Sequence, residues 1–398
     1  MRIIGLAAAV WMAATASAQD ARLNALHATL ETLHSHAKDA SIENLGGRPE
    51  LTIAKHQLRD WIETQLGSLK NDGDEKAFAD RVNKSLKAVS VAGTADDQNL
   101  LGSLSEVRIG READILIVTT AVGILCQNDE SVYAYGPVGG RWQRVWESEQ
   151  NDYSERQYSP QHIVAVHVSR LFLGGPPFVM TLGNYWGCAS TWKALYYRVW
   201  RVDPSGSKLL IDNTEGSWLR TQASAVGSIG PGKTNINGNA PMDVLIEFTE
   251  GSIDANTREA VRNFLIDGDH VRRVDPVALS PRDFVDEWLT RGWKESADWS
   301  ASATLQQWHQ KLHADFVSGE FVYPTMHCQT PDLWQVTFTP SNAKKNFAAE
   351  PAVYFLIRWR PPYHFAMMDV SDKPWSRCTR EDPDADEWRT LFNIQEWR

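Results

Sequence analysis

The chain has 398 residues, of which 42% are hydrophobic and 23% charged, so it is long enough to bury more than one core. The apolar content excludes disorder, and only 26 Gly and 18 Pro exclude a collagen-like or low-complexity fibre. With 40 basic and 50 acidic residues the formal net charge is -10, which argues against nucleic acid or an anionic membrane surface as the main partner.

The first 18 residues have the pattern of a secretory signal peptide. A basic start is followed by an apolar run that ends at Met12 and by the small residues Ala16, Ser17 and Ala18. The run is shorter than the roughly 20 residues that a membrane-spanning helix needs. We therefore expect cleavage after Ala18 and a secreted or periplasmic protein without a membrane span.

Residues 19–95 are predicted to form an N-terminal helical region. Apolar residues recur at spacings of three and four in three stretches, from Leu23 to Leu33, from Leu58 to Leu66 and from Phe78 to Val89. Turn residues separate these stretches, which predicts three amphipathic helices. A scaffold that docks a partner through these helices is one functional hypothesis.

From about residue 100 the pattern changes to short strands, and it repeats. Asp114 and Asp243 each begin an apolar strand with a Thr six residues later, and a third copy begins at Asp332. Four-stranded antiparallel units that repeat along a chain are typical of a β-propeller. We predict a mainly β fold with a four-unit, propeller-like domain over residues 100–378, and a β-sandwich is the alternative architecture.

The strands of the four predicted units can be placed one by one. Turn chemistry such as Gly139-Gly140 joins the last two strands of each unit. The predicted strands cover 102–110, 114–122, 131–136 and 141–147, then 162–169, 178–185, 194–202 and 208–212, then 220–229, 243–249, 261–267 and 270–275, and finally 320–327, 333–340, 353–360 and 363–370.

A helical insertion is predicted over residues 280–316, before the last unit. Ser280 followed by a proline is a helix start, and Gly292 ends that helix. A second helix follows it. The final residues, 379–398, are predicted to form a C-terminal tail with a short helix.

His309 and His313 stand four residues apart on the second helix of this insertion. That spacing occurs in zinc metalloproteases, but Gln310 stands where their general-base Glu would be needed. We therefore expect the two histidines to lie on an exposed face beside Trp308, and we predict no metal site here.

Export determines how the four cysteines are interpreted. In an oxidising compartment Cys126, Cys188, Cys328 and Cys378 are expected to form two disulfides, for which the sequence alone permits three connectivities. Cys126 and Cys188 each follow the second strand of a unit, and adjacent propeller units place such loops side by side. The repeat therefore favours Cys126 with Cys188, and Cys328 with Cys378.

One loop suggests a family. Asn235, Asn237 and Asn239 precede Asp243 and its apolar strand. This segment resembles the FG-GAP or VCBS type of propeller repeat, in which a D-x-N-G-D-G loop can hold calcium. The resemblance covers this loop and the Asp-plus-apolar start of two other strands. Because Asn occupies the first, third and fifth positions, a plain Asn-Gly turn is favoured over a calcium site.

Catalysis has no positive signal in this sequence, and the catalytic residues are unknown. No G-x-S-x-G elbow is present, and carboxylate pairs are too common among 50 acidic residues to nominate a glycosidase pair. No cofactor is indicated apart from the calcium alternative. A secreted hydrolase that acts on a polymer, with residues spread over several units, remains an alternative.

Tryptophan is abundant, with 17 in the chain, and some aromatic residues lie in a loop. Tyr185, Trp186 and Trp192 surround a Gly-bearing segment next to Cys188. Aromatic faces beside polar side chains suit stacking on a sugar or on an apolar patch of a partner, and local packing over the sheet edge is the alternative. We predict an exported, non-catalytic recognition protein that binds a glycan or protein ligand through these three residues.

Overall fold

Antiparallel strands make up most of the fold, as predicted, and helices precede and interrupt them. The chain divides into a first unit that ends at Glu215 and a second that begins at Gly216. The structure is a computed structural model that describes residues 21–38, 49–70, 73–91, 100–112, 114–125, 127–151, 161–170, 175–185, 192–203, 206–220, 225–232, 241–254, 256–313, 317–341, 351–360 and 364–386.

Three helices begin the described part of the first unit, where the apolar spacing predicts them. They are α1 over residues 21–35, α2 over Pro49–Leu66 and α3 over Glu75–Lys87. The Asp74 side chain accepts the N–H of Ala77 and so caps the first turn of α3. No helix in the described ranges is both long and apolar enough to span a membrane.

The first sheet lies between these helices and a second sheet. Its strands, in spatial and chain order, are β1 Arg108–Glu112, β2 Ile115–Ile124, β3 Gln127–Val138 and β4 Arg141–Ser148. Every residue of β2 is buried. Because side chains alternate along a strand, Leu116 and Val118 pack in the core with the helices, whereas Ile115 and Ile117 pack against the second sheet.

The second sheet repeats the same antiparallel meander. Its strands are β5 Gln161–Arg170, β6 Pro177–Tyr185, β7 Trp192–Asp203 and β8 Gly206–Arg220. The rings of Trp146 and Trp200 lie 4.8 Å apart in the core that joins it to the first sheet. These two tryptophans therefore anchor the core, as expected for tryptophans in strands.

The second unit contains two further meanders and the helical insertion between them. The third sheet consists of β9 Ala225–Pro231, β10 Met242–Gly251, β11 Thr257–Asp267 and β12 His270–Arg273. The insertion carries α4 Pro281–Thr290, α5 Trp293–Ser296 and α6 Leu305–Leu312. The fourth sheet consists of β13 Ser318–Cys328, β14 Leu333–Ser341, β15 Val353–Arg360 and β16 His364–Ser371, with β17 Cys378–Glu381 beside β13.

Helix α4 begins and packs as its sequence predicts. The Ser280 hydroxyl accepts the N–H of Asp283 at 3.0 Å, and Pro281 occupies the first helical position. The apolar face of the helix, including Phe284 and Trp288, packs on the fourth sheet. Helix α4, together with Leu305 and Leu312 of α6, therefore completes the core of that sheet.

The other face of α4 carries charge, and that charge is buried. Glu287 is fully buried and accepts hydrogen bonds from Arg258 at 2.7 Å, Arg273 at 2.5 Å and Arg291 at 2.7 Å. A nitrogen of Arg262 lies 3.1 Å from the same carboxylate. Burial opposes ionisation, but these guanidinium groups hold the pKa of Glu287 well below its usual range. An ionic network thus joins α4 to β11 and β12.

A disulfide ties the last strand to the fourth sheet. Cys328 and Cys378 are bonded, and they are also register partners in the β13–β17 pair. This confirms the predicted pairing of these two residues. Cys126 and Cys188, predicted to pair with each other, lie outside the described residues.

The prediction that the histidines of α6 lie on an exposed face is wrong for His309. His309 is 1% exposed, and its ring contacts Trp288 and Trp293. The reason is that Nε2 of His309 reaches the carbonyl oxygens of Trp288 and Arg291 at the end of α4. The imidazole therefore satisfies carbonyl groups that the end of a helix leaves unpaired.

Candidate functional site

A carboxylate of the first sheet binds the edge strand of the second. Glu130, near the start of β3, is mostly buried, and its Oε2 accepts the N–H of Ile163 on β5 at 2.5 Å. Nδ1 of His162 lies 3.3 Å from the same oxygen, and Nη2 of Arg108 lies 3.4 Å from Oε1. The His162 and Arg108 side chains are 39% and 59% exposed, so a ligand can reach both.

A second carboxylate repeats this contact further along β5. Oε2 of Glu112 accepts the N–H of Val168 at 2.5 Å, and Nδ1 of His167 lies 3.7 Å from its Oε1. The two histidines are five residues apart, but a β-bulge at Val164 restores their alternation. His162 and His167 therefore fall on one face of the second sheet.

Further polar side chains lie on residues of β5 and β6 next to His162. Nε2 of Gln161 donates to the Ser148 hydroxyl at 3.1 Å. Asn184 pairs with His162 in the β5–β6 register, and its buried Oδ1 has no hydrogen-bond partner within the described ranges. We name Arg108, Glu130, Gln161, His162 and Asn184 the Glu130 cluster.

The structure brings the backbone of two predicted ligand-binding residues to this cluster. Tyr185 is the last residue of β6, where the register pairs it with Gln161 on β5 and with Ala194 on β7. Trp192 begins β7, two residues before Ala194. Trp186 lies outside the described residues. The strand ends that carry Tyr185 and Trp192 therefore adjoin the Glu130 cluster.

Sequence reasoning missed the polar members of this cluster. Arg108 and Glu130 are 22 residues apart, and Glu130 and Ile163 are 33 apart, on strands of two sheets. Their convergence depends on strand pairing and sheet packing, which no local motif records. The aromatic segment was the only local signal of this edge.

The opposite end of the same two sheets contains a groove of about 850 Å³. Its wall includes Asp114, whose carboxylate oxygens lie 2.9 and 3.1 Å from Nη2 of Arg170. The Arg170 side chain also donates to the carbonyl of Gly175 at 2.5 Å. The aspartate that begins β2 therefore pairs with an arginine.

The other two strand-starting aspartates have their own roles. Asp332 lies 3.0 Å from Nε of Arg358, and burial raises the pKa of Asp243. The loop residues Asn235, Asn237 and Asn239 lie outside the described residues. Within the described ranges, no three His, Cys, Asp or Glu side chains converge in a way that could hold a metal ion.

Comparison with known proteins adds distant structural likenesses. No family model matches the chain, and no curated protein matches it. Among solved structures it is similar to a protein of the BT0996 RGII complex, with 10% identity and a TM-score of 0.24 over 70% of this chain and 90% of that one. A glycoside hydrolase matches with 8% identity and a TM-score of 0.24, over 74% and 93%. An exo-1,5-α-L-arabinanase from a bovine ruminal metagenomic library matches with 9% identity and a TM-score of 0.21, over 67% and 78%.

Proposed function

We propose that this chain is an exported glycan-binding protein whose site combines the Glu130 cluster with Tyr185 and Trp192. One observation carries the proposal. A carboxylate, an exposed guanidinium and a half-exposed imidazole lie at the strand edge that carries the backbone of these two aromatic residues. Among the described residues, no group of three or more His, Cys, Asp or Glu side chains could hold a metal ion at this edge instead.

The chemistry of the cluster suits sugars. Glu130 accepts hydrogen bonds, Arg108 donates them in a planar fork, and the Asn184 side chain can do both. Sugar hydroxyl groups both donate and accept, and sugar C–H faces stack on aromatic rings. Polar groups that fix orientation, beside aromatic residues that supply contact area, are a usual composition for a ligand site.

The four sheets support a propeller architecture for this binding domain. Each is an antiparallel meander whose four strands follow one another in chain order, and the fourth gains β17 at its edge. We infer that they are the blades of a four-unit β-propeller. A crystal structure would test this, since four sheets around a common axis are expected and two stacked sheets would contradict it.

The N-terminal sequence supports the proposal that the protein is exported. The small residues up to Ala18 are the expected cleavage site, and the Cys328–Cys378 disulfide suits an oxidising compartment. Mass spectrometry of the protein secreted by an expression host is expected to find Gln19 as the first residue. An uncleaved Met1 in exported protein would contradict the assignment.

Glycan binding is tested by calorimetric titration with a panel of cell-wall and extracellular polysaccharides. We expect saturable binding to at least one member, weakened about tenfold or more by Glu130→Gln, which removes a charge-assisted hydrogen bond worth about 1.5 to 3 kcal/mol. Glu112→Gln is the matched control, because that carboxylate makes the same backbone contact with β5 far from the cluster. Trp192→Ala is expected to weaken binding as well.

Two results would contradict the proposal. The first is a wild-type protein that binds no member of the panel. The second is equal loss of affinity in Glu130→Gln and Glu112→Gln, which would indicate a general effect on β5 instead of a ligand contact.

The hydrolase alternative is supported by one contact. The carboxylate of Glu130 lies 3.3 Å from the imidazole of His162, and such a pair can move a proton. Incubation with the same panel and detection of new reducing ends distinguishes the two functions. Turnover that Glu130→Gln abolishes would favour the hydrolase.

The scaffold alternative has less support. The apolar faces of α1, α2 and α3 are buried against the first sheet, including Leu30, Leu58 and Phe78. A protein that docks on these helices would therefore have to use their polar faces. Capture of such a partner by the mature Glu130→Gln variant, together with no glycan binding by the wild type, would favour this alternative.

A further inference from the structure

The end of helix α4 contacts an imidazole of α6 whose tautomer is determined by these contacts. Nε2 of His309 lies 3.0 Å from the carbonyl oxygen of Trp288 and 2.9 Å from that of Arg291. Carbonyl oxygens only accept hydrogen bonds, so Nε2 must carry the proton. Nδ1 of His309 is therefore the nitrogen with a free electron pair.

A second imidazole lies close to the His309 ring. His313 lies one helical turn further on, and the two ring centroids are 5.1 Å apart. Nδ1 of His309 and Nδ1 of His313 are both buried, and neither has a hydrogen-bond partner in the part of the chain that the structure describes. One occupant that binds both nitrogens would supply the partner that each of them lacks.

The surroundings favour metal binding by these nitrogens. A metal-binding histidine usually donates its other N–H to a carboxylate or a backbone carbonyl, which is what His309 does. The two carbonyl contacts hold the proton on Nε2 of His309, which leaves Nδ1 with the electron pair that binds a metal ion. The indole rings of Trp288 and Trp293 lie 4.8 and 5.4 Å from the His309 ring.

We propose that Nδ1 of His309 and Nδ1 of His313 bind one Cu⁺ ion. Imidazole nitrogen suits copper, and Cu⁺ is stable with two such ligands, whereas Zn²⁺ takes four. No third described His, Cys, Asp or Glu completes a larger ligand set. Burying the single charge of Cu⁺ costs less than burying the two charges of a divalent ion.

Anaerobic titration of the purified protein with Cu⁺, in competition with a coloured Cu⁺ chelator, tests this site. We expect one Cu⁺ per chain and quenching of tryptophan fluorescence. His313→Ala and His309→Gln should each weaken Cu⁺ binding about tenfold or more. His309→Gln keeps a side-chain N–H that can reach the carbonyls at the end of α4, so the helix contact is retained.

The control variant is His327→Ala. His327 is another histidine of the second unit, and its ring contacts Trp334. This variant is expected to bind Cu⁺ as the wild type does, and circular dichroism checks the fold of all three variants. Wild-type binding no tighter than that of folded His313→Ala would overturn the proposal. Equal affinity for Zn²⁺ would overturn the choice of Cu⁺.

Discussion

Buried charge in the second unit depends most on one residue, Glu287. Its carboxylate contacts the guanidinium groups of Arg258, Arg262, Arg273 and Arg291. Removing one partner from a buried ionic network leaves the other charges without compensation, which costs far more than the network contributes relative to an apolar core. The stability that is lost when Glu287 is neutralised can be measured.

We predict that Glu287→Gln lowers the free energy of unfolding by about 3 to 5 kcal/mol, because it removes a buried counter-charge that four guanidinium groups share. Denaturant unfolding followed by circular dichroism measures the loss. The matched control is Glu295→Gln, since Glu295 is 52% exposed and lies 4.0 Å from Arg273. The control should change stability by less than about 1 kcal/mol, and an equal loss in both variants would contradict the prediction.

The buried carboxyl group of Asp283, in the first turn of α4, should make the free energy of unfolding depend on pH. Burial raises the pKa of Asp283 to about 6, against the opposing effect of Arg258 and Arg282. Between about pH 4 and pH 6 the folded protein therefore keeps a proton that the unfolded chain has released. This residue accordingly lowers the free energy of unfolding as the pH rises through that window, and the loss is complete above it.

Asp283→Asn removes that contribution. We expect the unfolding free energy of the wild type to fall relative to that of Asp283→Asn as the pH rises from about 4 to about 7. Denaturant unfolding of both proteins at several pH values across the range measures the difference. Parallel pH profiles would show that Asp283 does not titrate in this window.

At the scale of elements, local chemistry predicts most of the strands. The strands predicted from 114 to 147 coincide closely with β2, β3 and β4, because Gly139 and Gly140 adopt the positive φ angles that their hairpin requires. The predicted strands are wrong where contacts between distant parts of the sequence determine the strand boundaries. β1 begins later than predicted, at Arg108, and β17 forms in the predicted tail because a disulfide and β13 hold it.

Removal of the Cys328–Cys378 disulfide should lower the stability of the protein. Its cysteines are separated by 50 residues, and closing such a loop is worth about 4 kcal/mol in the chain-entropy model. The double variant Cys328→Ser, Cys378→Ser should therefore unfold at lower denaturant concentration than the oxidised wild type. Addition of reductant should bring the wild type close to the variant, and identical midpoints without reductant would contradict the expected contribution.

At the scale of the whole molecule, each unit has a core of its own. The first unit buries its helices against β2 and β3, and the second buries α4 and α6 against the fourth sheet. Composition and repeat spacing predict a large, mainly β chain, but they do not predict the Glu130 cluster. That cluster joins residues of separate strands in two sheets, so it exists only once the first unit has folded.

Because each unit has its own core, a destabilising substitution in one unit should increase hydrogen exchange in that unit alone. In Glu287→Gln, amide hydrogen exchange should increase in α4, β10 and β11, whereas β2 and β3 keep their protection. Exchange followed by mass spectrometry of peptides measures this. Equal acceleration in β2 would show that the whole chain unfolds as one cooperative body.

The two carboxylates of the first sheet that contact β5 have a consequence for self-association. An edge strand offers its free N–H groups to any other extended chain, and proteins protect such edges in several ways. In this molecule Glu130 and Glu112 occupy the N–H groups of Ile163 and Val168. An incoming strand would have to displace two charged acceptors before it could pair there, so the Glu130 contact that helps to form the proposed ligand site also protects the protein from edge-to-edge aggregation.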